Sequence, residues 1–411
     1  MNRPLRILWL KTGPLHPLDT GGKLRTYHLL RELNRLHEVT FLALCEPDTP
    51  PDIKQQAAAY CRRALWVWWS APRKGSLEFY ADLGRNLFSS LPYVLARYRS
   101  DNMRLEIQEE DTPEKHDLMV CDFLTPAINL FPLARGVPRP RLKVLLFQHN
   151  VEAQIWERLY QQQRHPWQRW YFHLQWQRLR RWEQRLCARS DGVVAVSETD
   201  AGRFRADYGL GNVLGSVPTG VDVEYFGQTR PHPVPGRIAF LGSMDWMPNV
   251  DAVEWWMKDI WPLVKQRHAG ASFSIIGRNP PPAIAGLPQR ESSVQVTGTV
   301  PDVRPHLGQA QVLVVPLRAG GGTRIKIYEA MAAGLPVVST RVGAEGLPLR
   351  DGETIWLADT AEDFARAVTT LLKEPAQRER LAAAGQEWVR RHASWAQAAS
   401  TLAGYAKQLI T

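Results

Sequence analysis

Short apolar runs separated by helix-length amphipathic stretches recur along almost the whole chain. In the first half, "RILWL", "VTFLAL", "ALWVWW", "DLMVCD", "KVLLFQHN" and "GVVAVS" read as strands. In the second, "RIAFLGS", "SFSIIG", "VQVTG", "VLVVPL" and "PVVST" do the same. Runs made almost continuously of Val, Ile and Leu belong to strands covered on both faces, and helix-length spacers between them make parallel βαβ units. Two such sheets exceed one domain. The stretch "SVPTGVDVEYFGQTRPHPVPGR" is rich in proline and glycine and precedes a fresh first strand at Arg237, so it marks the join. The pattern predicts a first domain over 1–215, a second over 216–385, and a helical tail, 386–411, packing back on the first. Ligands of open parallel sheets bind beyond the carboxyl ends of the strands, so the expected site is a cleft that the two domains face.

Composition narrows the class. The 411 residues are 44% hydrophobic and 22% charged, as in ordinary globular proteins. No run approaches the roughly 18 apolar residues of a membrane span. The opening "MNRPLRILWLKTGPL" carries too short an apolar burst for a secretory signal, and the expectation is a cytoplasmic protein. Cys45, Cys61, Cys121 and Cys187 have neither C-x-x-C nor zinc-like spacing and read as reduced thiols.

Net charge, +10, favours an anionic partner, and it is unevenly placed. Between Trp156 and Leu186 stand seven arginines against two glutamates, with five of the sixteen tryptophans. Arginine with tryptophan suits nucleic acid and an anionic bilayer surface equally well, and of the two the bilayer is the expected partner. A helical pair whose aromatics pack on the domain beneath is the alternative. Membrane contact would place the protein peripherally on the inner face of the cytoplasmic membrane.

Several strand ends carry candidate chemistry. Gly21-Gly22 precede a helix with Leu24, Tyr27, Leu30 and Leu33 on one side, where free N–H groups can meet an anion. His149 follows a buried strand and could hydrogen-bond a substrate or shuttle a proton. Asp122, at a similar strand end, reads as a cap for the next helix. In the second half, Gly242-Ser243, Gly277-Arg278 and Gly298-Thr299-Val300 stand at three strand ends, and Asn249 reads as a helix N-cap. The densest signal is "AGGGTRIKIYEAMAAGLPVVST". Gly320, Gly321, Gly322 and Thr323 lead into a helix whose first turn contains Arg324 and Lys326. Cations at a helix N-terminus oppose its dipole, by about 0.3–1 kcal/mol each. A phosphate held by the glycine N–H groups would reverse that sign. Glu329, on the same face as Lys326, could accept hydrogen bonds from ribose hydroxyls.

The order of these parts resembles the retaining, nucleotide-sugar-dependent glycosyltransferases called group 1 or family 4. The likeness is strongest in "GTRIKIYEAMAAGLPVVST" with "GAEGL", in "PTGVDVEYF", and in "LGSMDWMPNVDAV", "VTGTVPDVRP" and "HNVE". It implies an α/β GT-B fold of two Rossmann-like parallel-sheet domains, the first binding acceptor and the second the nucleotide sugar. By that likeness Gly22 lies at a donor or acceptor phosphate and His149 near the transferred sugar. Glu329 would bind the ribose, and Lys326 with Arg324 the diphosphate. Where the family often has a first glutamate, this chain has Gly321, and where many members have an arginine and a lysine it has Ser243 and Met244.

The implied activity is transfer of a sugar from a UDP- or GDP-sugar to an acceptor hydroxyl, with retention and no metal or other cofactor. The acceptor would be lipid-linked, in cell-surface or exopolysaccharide synthesis. A nucleotide-sugar epimerase on the same fold and a non-catalytic nucleotide-sugar-binding scaffold stay open as alternatives.

Overall fold

Each of the eleven apolar runs forms a parallel strand in the computed structural model, which describes residues 3–73, 75–131, 139–163, 165–319 and 324–411. The first sheet holds β1 (Arg6–Lys11), β2 (Glu38–Cys45), β3 (Arg63–Trp68), β4 (Leu118–Asp122), β5 (Lys143–Phe147), β6 (Gly192–Ala195) and β7 (Val213–Ser216). Their spatial order is β3-β2-β1-β4-β5-β6-β7. The second sheet holds β8 (Arg237–Leu241), β9 (Ser272–Ile276), β10 (Val294–Val296), β11 (Val312–Val315), β12 (Val337–Ser339) and β13 (Trp356–Leu357), in the order β10-β9-β8-β11-β12-β13. β7 and β13 are additions to the sequence pattern. β7 has only two apolar residues before Gly215, and β13 is two residues long, so neither makes a run that stands out.

The described residues divide into two compact units, one comprising 3–218 with 398–411 and the other 219–319 with 324–397. Each has its own core. In the first, Leu8, Leu10, Met119, Leu146 and Val193 are buried; in the second, Phe240, Ile275, Leu313 and Val338 are. Strands sealed on both faces explain why the runs are apolar throughout rather than alternating. The four cysteines are buried and unpaired.

Two local expectations shift. The tail is two helices rather than one from residue 386. Residues 386–392 finish the helix Pro375–His392, and Ser394 Oγ then accepts from Gln397 N at 3.2 Å, capping the new helix Trp395–Ile410. From residue 398 the chain belongs to the first unit, where Leu409 packs over Gly192 and Tyr405 over Gly215. The helix Gly21–Leu36 is rotated from the expected Leu24–Tyr27 side, burying Arg25, Thr26, Leu29, Leu30 and Leu33. Its second turn rests on polar groups at the strand ends, through Thr26 on Lys11 and Asp122, so a hydrophobic stripe alone misplaces its inner face.

Backbone proximity at the carboxyl edge of the second sheet fixes Gly277, because any Cβ there would collide with the Gly242 carbonyl oxygen. Gly277→Ala should destabilise the protein by about 3 kcal/mol, since backbone rather than a pliant side chain must move. Gly202, in the helix Glu198–Ala206 with open space around it, should gain roughly 0.5–1 kcal/mol on change to Ala. Urea unfolding midpoints of the two variants should therefore move in opposite directions.

Candidate active site

A parallel sheet whose strand order reverses opens a crevice at the carboxyl ends of the two strands that meet there. In the first sheet these are β1 and β4, and in the second β8 and β11. Both places are crossed by a lysine side chain.

In the first unit Lys11, the last residue of β1, places Nζ 2.8 Å from Asp122 Oδ2 at the end of β4. Asp122 is fully buried and also accepts from Trp9 Nε1 at 2.9 Å and Thr26 Oγ1 at 2.6 Å. His149, beyond β5, sets Nε2 2.7 Å from Asp122 Oδ1. Burial would raise the Asp122 carboxyl, but Lys11 and then His149 hold it well below the ordinary carboxylate range. Burial pushes the His149 imidazole down to about 4, against the pull of Asp122, so at neutral pH the ring is uncharged. With Nε2 turned to the carboxylate, Nδ1 carries the lone pair. It faces Gly22, where a Cβ would lie 3.6 Å away. The result is a neutral hydrogen-bond acceptor beside the N-terminus of the helix Gly21–Leu36.

The turn holding His149 is fixed from both sides. Phe123, between β4 and its helix, has φ of 86°, a conformation costly for a bulky residue, and its ring meets the His149 ring edge-on at 5.5 Å. Downstream, the buried Glu183 carboxylate accepts from Glu152 N at 2.8 Å and Ala153 N at 3.0 Å, capping the helix Glu152–Gln162. Tyr208 Oη donates to it at 2.6 Å. Burial pushes Glu183 up to about 7.

In the second unit Lys326, in the first turn of the helix Ile325–Ala332, donates to Asn249 Oδ1 at 2.8 Å. Asn249 Nδ2 donates to Ser243 O at 2.7 Å. A Cβ on Gly242 would come within 2.8 Å of both Lys326 Nζ and Asn249 Nδ2, so only glycine leaves room for this crossing. Lys326 Nζ also stands 4.9 Å from the Phe240 ring centroid. Burial, and then Arg324, push its ammonium down to about 7, with Glu329 acting the other way. Burial pushes Glu329 up to about 7 despite Lys326. An anion at Lys326 would restore the lysine's proton.

Arg278, after β9, leans into the loop after β8. Its Nε donates to Ser243 Oγ at 3.1 Å and Asp245 Oδ2 at 2.8 Å. Arg324 is the N-cap of its helix rather than part of the first turn, and is buried. Its guanidinium donates to Val342 O at 3.0 Å, holding the loop that follows β12. The apparent pairing of two cations in one turn therefore separates into an anchoring arginine and a lysine at the crevice. Asn249 lies inside its helix, whose N-cap is Trp246, and Asp122 caps nothing because its carboxylate is engaged by Lys11, Trp9 and Thr26.

Gly242, Ser243, Arg278 and Lys326 are thus gathered at one edge, with Glu329 one turn further along the helix. Gly298 and Val300 follow β10, two strands from β8, and Val300 packs on the core. Gly320, Gly321, Gly322 and Thr323 lie outside the described residues. The functional groups that sequence reading misses are Lys11, Trp9, Thr26, Phe123 and Glu183. For Lys11 a signal exists: it is the charged residue closing an otherwise apolar strand at an order reversal. Among the described residues no group of three or more His, Cys, Asp or Glu side chains is arranged to hold a metal ion.

Two family models match the chain, Glycosyltransferase Family 4 over residues 20–225 and Glycosyl transferases group 1 over residues 235–374. A phosphatidyl-myo-inositol mannosyltransferase of Mycobacterium leprae is 31% identical over 242 residues, which cover 54% of this chain and 60% of that protein. The chain thus spans less than two thirds of that relative's length. A glycosyltransferase from Rickettsia africae has the same fold, with a TM-score of 0.69 and 14% identity over 100% of both chains. Anabaena HepE in complex with UDP and glucose gives a TM-score of 0.65 and 14% identity, over 98% of this chain and 99% of that one.

The His149 environment makes a pH prediction. Its imidazole binds a proton less readily folded, at about 4, than unfolded, at roughly 6.5. The unfolded chain takes up the proton first as pH falls, so stability from this group is complete above about 6.5 and is lost down to about 4. The protein should lose about 2 kcal/mol between pH 7 and pH 5 that His149→Gln does not lose. Urea titrations of both proteins at the two pH values measure the difference, and equal losses would contradict the assignment.

Proposed function

The chain belongs to glycosyltransferase family 4, and on that basis we propose that it moves a sugar from a UDP- or GDP-sugar to an acceptor hydroxyl with retention. The observation that carries the reading is Lys326 at the order reversal of the second sheet, held by a neutral amide and depressed to about 7. A lysine paired with a carboxylate is already neutralised. One paired with an amide has no counter-charge bonded to it, so a diphosphate there would hold its proton in place.

Departure of a nucleoside diphosphate builds negative charge on phosphate oxygens, so a preorganised cation at that place lowers the barrier. Lys326 supplies it from the protein itself, and the start of its helix adds a favourable dipole. Glu329, ionised when ribose hydroxyls donate to it, holds the nucleoside. His149, neutral and presenting Nδ1, accepts a hydrogen bond from a hydroxyl of sugar or acceptor and orients it. The UDP and glucose in HepE's complex support a nucleotide-sugar donor, and the mycobacterial relative's name supports a lipid-linked acceptor. The protein works on the cytoplasmic side without a metal, in cell-surface glycan synthesis. None of the helices in the described residues is long and apolar enough to cross a membrane.

The test is a thermal-shift panel of nucleotides and nucleotide sugars, followed by turnover with the stabilising donor, because a ligand bound to the folded state raises the melting temperature by mass action. Lys326→Ala should abolish the nucleotide shift and reduce turnover about 100- to 1,000-fold, the cost of removing one preorganised charge-stabilising group. Glu329→Ala should weaken binding of nucleosides more than that of inorganic diphosphate. Near-normal turnover in both variants would remove this site from the mechanism.

A further inference from the structure

The arginine- and tryptophan-rich helix Pro166–Arg189 is only half accounted for by packing. Gln175, Leu179, Trp182 and Leu186 are buried against the first unit. Trp182 Nε1 donates to Ser90 O at 2.9 Å, and Arg178 donates to Asn86 O at 2.8 Å and Leu87 O at 2.7 Å. These contacts clamp the helix onto the segment 86–90. They leave a second face, stepping by three or four residues through Trp170, Leu174, Arg178, Arg181 and Arg185. Trp170 is 57% exposed, and Trp167 beside it 69%.

That face is polarised along its length. Its first part is aromatic and aliphatic and its last part cationic, with about 22 Å from Trp170 to Arg185 at the helical rise. The helix contains six arginines and one acid, Glu183, which is buried inside. Across from it, the helix Leu77–Leu87 turns its own apolar stripe to solvent. Leu77 is 88% exposed, Tyr80 61%, and Phe88 at the helix end 95%. Between the helix Pro166–Arg189 and the segment 88–90 that follows the shorter helix lies a groove of about 500 Å³, lined by Phe88, Trp170, Leu174, Arg178, Arg181 and Arg185.

We infer that this surface docks on an anionic phospholipid bilayer. Tryptophan and tyrosine settle at the bilayer interface because each has an apolar body and a polar tip. Phe88 and Leu77, exposed on the neighbouring helix end, gain from burial among acyl chains and nothing from a phosphate backbone, which argues against nucleic acid. Arg181 and Arg185 then meet lipid phosphates at headgroup level. The docking surface stands apart from the glycosyl-transfer reading: it lies on the first unit and uses neither Lys326, Glu329 nor His149.

Vesicle flotation of the full chain tests it, comparing phosphatidylglycerol-containing with pure phosphatidylcholine vesicles. The protein should float with the anionic vesicles and not with the neutral ones. Arg181→Gln with Arg185→Gln should weaken binding roughly 25-fold, at about 1 kcal/mol per cation. Phe88→Ser with Trp170→Ser should weaken it at least about tenfold at unchanged net charge. Lys373→Gln with Arg380→Gln, exposed cations on the second unit, should leave it unchanged. Thermal melts of all variants should match the parent, since the replaced side chains are exposed. Equal weakening by the control pair, or no effect of the serine pair, would reduce the binding to general attraction by a +10 protein and overturn the proposal. Self-association without vesicles that the serine pair abolishes would reassign the surface to a second copy and overturn it too. Turnover of the variants on a soluble acceptor separates the two questions, because it should persist while vesicle binding is lost.

Discussion

The buried ion pair of Lys11 with Asp122 is the contact on which the first unit's site depends. It joins β1 to β4 at the carboxyl ends of these paired strands, where the sheet reverses its order. A buried carboxylate is tolerable only with its lone pairs engaged, and Trp9, Thr26 and Lys11 engage them from three elements. The start of the helix Gly21–Leu36 is consequently held in place from its second turn by Thr26, which accepts from Lys11 at 2.9 Å while donating to Asp122. Gly22 then lies against His149 because the turn cannot move away.

The second unit repeats the geometry with opposite electrostatics. Lys326 crosses the corresponding reversal but ends on Asn249, an amide, instead of a carboxylate. Lys11 is neutralised by its partner, and the imidazole beside the pair is uncharged. Lys326 has an amide rather than a carboxylate as its hydrogen-bond partner, and burial lowers its proton affinity. The lysine at one reversal thus meets a carboxylate, and the lysine at the other meets an amide. The difference is one acceptor residue, aspartate or asparagine.

The strands were legible because sealing a parallel sheet on both faces requires unbroken apolar runs, and that requirement leaves few alternatives in the sequence. β7 escaped notice because Gly215 interrupts it, and its identity depends on a tyrosine 190 residues later, Tyr405. The site was legible only where glycine and charge fall close together in sequence. "TRIKIYE" announced itself, and structure then divided its two cations between anchoring and the crevice. Asp122 did not, because its meaning lies in Trp9, Lys11, Thr26 and His149, which sequence spacing cannot bring together. Helix Gly21–Leu36 shows the same limit: a hydrophobic stripe points to its inner face, but Arg25 and Thr26 are buried for polar reasons.

The departures from the family pattern acquire a physical reading from these contacts. Met244 stands where many members have a cation, and it is buried in the core rather than turned to a ligand. The cation that approaches that loop comes instead from β9, as Arg278. Asn279, Ser243 and Arg278 together hold Asp245 below its ordinary range, so this arginine is partly neutralised by the loop it enters. Lys326, by contrast, has a neutral amide as its hydrogen-bond partner. On the function proposed above, a lysine held by an amide would favour a diphosphate, while Gly321, standing where the family often has a glutamate, would leave the attached sugar less closely read.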